Sequence, residues 1–172
     1  MKKVIISILF VVFLFTACSN KSMIVSNNQE MLQIIKTEEN ISTDIKECCE
    51  LSVDNELLMV GITGEFPQTH NYYAAHFPSA ENGGYEFKGS IALIEHGWQL
   101  MGCKWQNGYV FICNNDDVVK LKIEAQKAGD EKQTTVLDVE SIPWIYYMDL
   151  SELQPNYDMT FTYLDSNGNE VR

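Results

Sequence analysis

The chain has 172 residues and is strongly acidic, with 24 Asp and Glu against 12 Lys and Arg and a formal charge of −12. A surface of that sign repels phosphate backbones and anionic lipid headgroups, which argues against nucleic acid as a partner and against an electrostatic hold on a membrane. The length suits a single domain that buries a core of its own without needing staples.

The chain opens on a short basic start, Met1-Lys2-Lys3, and Val4 to Phe15 is apolar except for Ser7. About 12 apolar residues are too few to span a hydrocarbon core of about 30 Å as a helix. A basic flank followed by a short apolar run has the form of a secretory signal. Small residues, Thr16 and Ala17, then precede a single cysteine, Cys18. The stretch Leu14-Phe15-Thr16-Ala17-Cys18 resembles the lipobox of bacterial lipoproteins, and the resemblance covers the leader alone.

In that class the cysteine thiol takes a diacylglycerol, the leader is cut just before it, and the new amino terminus is often acylated, for example by palmitate. The resemblance implies that residues 1–17 are a signal peptide and that Cys18 is the lipidated first residue of the mature protein. It implies a domain held outside the cytoplasm at the bacterial cell membrane or outer membrane. Two or more acyl chains at about 0.8 kcal/mol per buried CH₂ hold far better than one. Loss of Lys2 and Lys3 with the leader takes the charge from −12 to −14.

Residues 18–28 are polar and read as the lipidated terminus and a flexible tether, leaving 29–172 as one β-rich globular domain. Asn27 and Glu30 have the spacing of a capping box, and Met31, Leu32, Ile34 and Ile35 predict a helix over about 28–38. Ser42 or Thr43 could cap a second short helix running into Cys48-Cys49, or Ile41 to Val53 could be a strand. Leu57 to Ile62 suits a buried strand.

A long connection is expected from about Phe66 to Gly84. It carries His70, Tyr72, Tyr73, His76 and Phe77, and long loops in compact domains tend to be functional, so these five residues form the candidate binding loop. Exposed aromatics of this kind stack on sugar rings or anchor protein partners. Tyr85 to His96 reads as one strand. Trp98 to Trp105 and Tyr109 to Cys113 flank Asn107-Gly108, a hairpin signal. A two-residue Asn107-Gly108 loop sets Trp105 opposite Val110 and gathers Met101, Cys103, Trp105, Val110 and Ile112 on one apolar face. Asn114 to Asp117 reads as a solvated turn, and the three tryptophans as core or sheet packing.

Val119 to Gln126 alternates cleanly, with Val119, Leu121, Ile123 and Ala125 facing inward. Further strands are expected at Thr134–Val139, Ile142–Met148, where Pro143 suggests an edge or bulge, and Met159–Leu164, with a short return at Val171. Short strands separated by turn signals predict a mainly β fold, an antiparallel sandwich or bent sheet with one or two short N-terminal helices. The alternative is a two-layer α+β fold.

Cys48, Cys49, Cys103 and Cys113 could pair in three ways in an oxidising compartment. The hairpin register points Cys103 and Cys113 to opposite faces, whereas a three-residue loop would bring them together. Cys48 or Cys49 could bridge to one of them, a vicinal Cys48–Cys49 bridge is disfavoured by disulfide span, and all four could be small buried hydrophobes. No zinc spacing, nucleophile elbow or nucleotide loop is present, and no catalytic residue or cofactor is implied. The first functional expectation is a lipid-anchored binding or interaction module at the cell envelope, taking a protein or glycan ligand and no nucleic acid. The alternatives are an envelope hydrolase with a site in the 66–96 region, and a structural or immunity-type protective lipoprotein. The oligomeric state is left open.

Overall fold

The computed structural model describes residues 23–64, 70–127, 129–152 and 157–172; the leader, Cys18 and the Phe66-Pro67 stretch lie outside them. The elements in chain order are β1 (Ile24–Val25), α1 (Asn28–Glu38), β2 (Lys46–Val53), β3 (Glu56–Thr63), β4 (Asn71–Pro78), β5 (Tyr85–Glu86), β6 (Gly89–Ile91) and β7 (Ile94–Gly97). There follow β8 (Leu100–Trp105), β9 (Gly108–Cys113), β10 (Lys120–Lys127), β11 (Gln133–Asp138), β12 (Trp144–Asp149), β13 (Tyr157–Leu164) and β14 (Glu170–Val171). The fold is mainly β, as expected, and all its strand pairs are antiparallel.

Three four-stranded sheets carry the architecture: a front sheet β2-β3-β4-β6, a middle sheet β12-β9-β8-β7 and a back sheet β11-β10-β13-β14. The face on which each strand's side chains are buried shows how they stack. In β3, Leu58 and Val60 enter a core shared with Val110 and Ile112 of β9, while Leu57 and Met59 enter a core shared with Met31 and Ile35 of α1. In β9, Tyr109, Phe111 and Cys113 turn the other way, onto Leu121 and Ile123 of β10. The order is therefore helix, front sheet, middle sheet, back sheet. Strands buried on both faces are apolar throughout, which is why β3 and β9 read as continuous apolar runs.

The helix stands where the spacing put it. Asn27 Oδ1 accepts from Glu30 N (3.0 Å), and Glu30 Oε2 accepts from Ser26 N (2.8 Å), so the reciprocal cap closes one residue earlier than in the usual box. Of the two readings of the stretch through Cys48-Cys49, the strand is the one formed: β2 occupies it, joined to β3 by Asp54 and Asn55, both left-handed at φ 49° and 64°. The tether also ends sooner than expected. Ile24-Val25 pairs with Tyr85-Glu86 and Val25 is buried, so the ordered domain includes residues assigned above to the tether.

The largest correction falls on the expected 66–84 loop. Residues 71–78 are β4, an inner strand paired on both sides, so Tyr72, Tyr73, His76 and Phe77 sit in a sheet and His70 lies immediately before it. Tyr85 to His96 breaks into three short strands instead of one. In the β8–β9 hairpin the turn is Gln106-Asn107, and Trp105 faces Gly108 and Cys103 faces Val110. The cause is packing: a Cβ on Gly108 would stand 2.3 Å from the Tyr147 ring and 2.4 Å from the Met148 carbonyl, so this glycine admits β12 instead of making the turn. The displacement is by an even number of residues, so every side chain keeps its expected face. Cys103 and Cys113 accordingly lie in different cores. All four of these cysteines are free thiols, and none of the bridges considered above is formed.

Between the middle and back sheets, His96 Nε2 stands 2.7 Å from Tyr109 OH, and the His96 ring lies edge-on to Phe161 at 4.4 Å. Burial holds the His96 pKa below its ordinary value of 6.5, so the fold favours the neutral ring. Gly102 makes room for this pair, since a Cβ there would meet Tyr109 at 2.6 Å and His96 at 2.8 Å. Gly102→Ala is expected to destabilise by about 1–3 kcal/mol through overpacking, read as a lower denaturant midpoint. The His96 contribution to stability is complete above pH 6.5 and is lost as pH falls below it toward the lowered folded value. His96→Asn should remove that component, which a comparison of melting temperature against pH between the two proteins checks.

A groove beside Trp98

The front sheet ends at β6 and the middle sheet ends at β7, and Ala92-Leu93 carries the chain from one edge to the other. β7 turns into β8 through Trp98 and Gln99, where Gln99 takes φ 59°. That turn is tied down from the end of β9. Asn114 N donates to Gln99 O (2.9 Å), and Asn115 Nδ2 donates to Trp98 O (3.0 Å). Asn115 is itself buried and fixed, its Oδ1 accepting from Asp117 N at 3.0 Å. The backbone of Trp98 is therefore held while its side chain stays 42% exposed. Such an aromatic presents a large rigid surface at little ordering cost.

Two hollows meet around this turn and a third adjoins one of them. One of about 490 Å³ is lined by His70, Trp98, Gln99 and the run Asn114 to Asp117. A second of about 360 Å³ lies between Tyr72, Tyr73, Glu95 and Trp98 and shares His70, Trp98 and Gln99 with the first. A third of about 430 Å³ shares Tyr72, Tyr73 and Leu93 with the second and reaches Glu39 and Ser90. The shared walls make one groove that runs from the front-sheet edge past Trp98 to Asp117. Among the described residues its lining holds four carboxylates, Glu39, Glu95, Asp116 and Asp117, and no Lys or Arg.

Polar groups in the wall are oriented. His70 Nδ1–H donates to the Thr63 carbonyl at 3.3 Å, and the ring meets Tyr72 edge-on. Asn114 Nδ2 donates to Tyr72 OH at 3.1 Å, joining the front sheet to the end of β9. Burial pushes the Tyr72 hydroxyl up to about 12, with the Asn114 hydrogen bond opposing, so it stays protonated and keeps a proton to donate.

Of the five residues singled out in the sequence, His70, Tyr72 and Tyr73 line the groove. His76 and Phe77 stand apart from them by distance along β4: they lie four residues further on, about 13 Å, on the same faces as Tyr72 and Tyr73 respectively. His76 Nε2 pairs with Glu56 Oε2 at 2.7 Å, beside the Trp105 ring, and Gln106 Nε2 also donates to that oxygen. Phe77 is fully buried under α1 against Phe87. The three histidines thus occupy three places: His70 the groove, His76 the hairpin end between the front and middle sheets, His96 the core behind. Trp98, Gln99 and Asn114 to Asp117 were not anticipated. The turn signal Gly97-Trp98-Gln99 between two apolar strands, and the polar run ending β9, were the features that marked them.

No protein-family model, no curated protein and no solved structure matches this chain. Among the described residues no helix is long and apolar enough to cross a membrane, and no group of three or more His, Cys, Asp or Glu side chains is placed to hold a metal ion.

Tyr72→Phe should cost about 1 kcal/mol by leaving Asn114 without its acceptor, and Trp98→Ala should cost about 1 kcal/mol as well, because the indole is partly covered while the backbone ties of the turn remain. Chemical denaturation of the two variants checks both values.

Proposed function

We propose that this protein is a lipid-anchored binding module of the bacterial envelope, held by acyl chains on Cys18 and taking an extended protein or glycan ligand in the groove beside Trp98. The observation that carries the reading is a single one: the Trp98 backbone is tied by Asn114 and Asn115 while its indole remains exposed at the junction of adjoining hollows. Core packing gives no reason to hold an indole out in this way, whereas a binding surface does. Tyr72 and Tyr73 continue the aromatic lining, and the carboxylates and amides supply acceptors and donors along it.

An array of bacterial and host glycans, together with a displayed library of extended peptides, tests the groove. Binding by the wild-type domain that falls at least about tenfold in Trp98→Ala, measured well below the variant's own thermal transition, supports the reading. Binding that Trp98→Ala leaves intact overturns it. The anchor is tested separately by intact mass. A product beginning at a lipid-bearing Cys18, with Cys18→Ser moving from the detergent to the aqueous phase, is expected; a product that keeps Met1 and a bare thiol at position 18 overturns that part.

A further inference from the structure

Alternation along β2 fails at one point. Glu47 pairs with Gly61 and Cys49 pairs with Val60, so Cys48 is an extra residue in the strand, a β-bulge. In a regular strand adjacent side chains point to opposite faces. Here Cys48 and Cys49 both enter the same core, the one between the front and middle sheets. The bulge therefore sets two adjacent thiols on one side of the backbone.

The pair sits at the rim of that core. β2 is the outer strand of the front sheet and lies against β12, the outer strand of the middle sheet. Cys48 and Cys49 keep 8% and 9% exposure, whereas Cys103 and Cys113 keep none, so a reagent meets the pair first. The neighbouring Cys49 thiol lowers the Cys48 pKa, while Cys49 itself is pushed up by Cys48 and by burial, and burial pushes Cys103 up to about 12 and Cys113 up to about 11. Cys48 is thus the thiol most ready to ionise and to act as a ligand.

We propose that Cys48 and Cys49 form a vicinal dithiol site that chelates a thiophilic trivalent metalloid, of the type of a monosubstituted arsenical. Soft thiolates select soft acceptors. Two adjacent thiols on one side of the backbone suit a pyramidal centre, which takes both ligands on the same side, better than a linear one, which needs them opposed. Closure to a disulfide is the competing fate. The Cα atoms of neighbours are about 3.8 Å apart, below the usual disulfide span of about 4.4–6.8 Å, so the pair is kept as two thiols. With an arsenic(III) oxide, R–As=O, two As–S bonds form and the oxide oxygen leaves as water with the two thiol protons. Arsenic stays trivalent and nothing is oxidised or reduced. The site is independent of the Trp98 groove and of the lipid anchor.

The test uses the full chain in detergent, reduced and freed of reductant, with phenylarsine oxide as the probe and native intact mass as the readout. One adduct per chain is expected, stable to a monothiol wash and removed by dithiothreitol. Cys48→Ser and Cys49→Ser should each lower apparent affinity by roughly 100-fold, because the second sulfur of a chelate acts at high effective concentration. Cys103→Ala should leave the adduct in place. Cys48→Ala and Cys49→Ala repeat the test if a serine variant loses its thermal transition. No adduct on the native protein, an adduct that survives either single substitution, or a chain isolated two hydrogens lighter through a Cys48–Cys49 disulfide would each overturn the proposal.

Discussion

The structure depends on a middle sheet that is buried on both faces. β9 has no solvent side: Val110 and Ile112 pack toward the front sheet, and Tyr109, Phe111 and Cys113 pack toward the back sheet. Each large apolar side chain buried in this way contributes about 1.5–3 kcal/mol relative to exposure. The strand is thus the common wall of two cores, and a change of register along it by one residue would empty both. Gly108 and Gly102 are the points where this wall must be thin, the first for β12 and the second for the His96–Tyr109 pair.

Stacking three small sheets leaves several edges, and both the groove and the Cys48-Cys49 bulge lie on them. β6 and β7 end the front and middle sheets on one side, and the groove opens where the chain crosses between them. β2 and β12 end the same two sheets on the other side, and the Cys48-Cys49 bulge lies there. Bulges at edges interrupt the row of unpaired backbone groups that would otherwise invite another strand, and they re-aim side chains. Here re-aiming places adjacent thiols together in a core that regular geometry would have let only one of them enter.

The groove owes its shape to distant parts of the chain. Its wall joins β4 and the end of β9 through the Tyr72–Asn114 hydrogen bond, 42 residues apart in sequence. Its prominent aromatic is carried on a turn fixed by backbone and amide contacts to Asn114 and Asn115. Its carboxylates come from the end of α1, from β7 and from the turn after β9, so the local field is negative although none of these segments is a charge run by itself.

Much of the fold was legible in residue order. The α1 cap, the alternation of β10, the apolar runs of β3 and β9 and the face shared by Met101, Cys103, Trp105, Val110 and Ile112 all follow from local spacing, because burial acts on side chains at fixed periods of the backbone. What local spacing determined, therefore, was element type in the strongly periodic segments and the face their side chains present. Pairing and exposure belong to the tertiary structure. Asn71 to Pro78 became a strand because β3 and β6 supply partners on both sides, Trp98 came to the surface because a turn was tied from elsewhere, and Cys48 joined Cys49 because β3 offers one residue fewer than β2. Each of these outcomes is set by a hydrogen-bonding partner far away in the chain, and a pattern read within one segment contains no term for it.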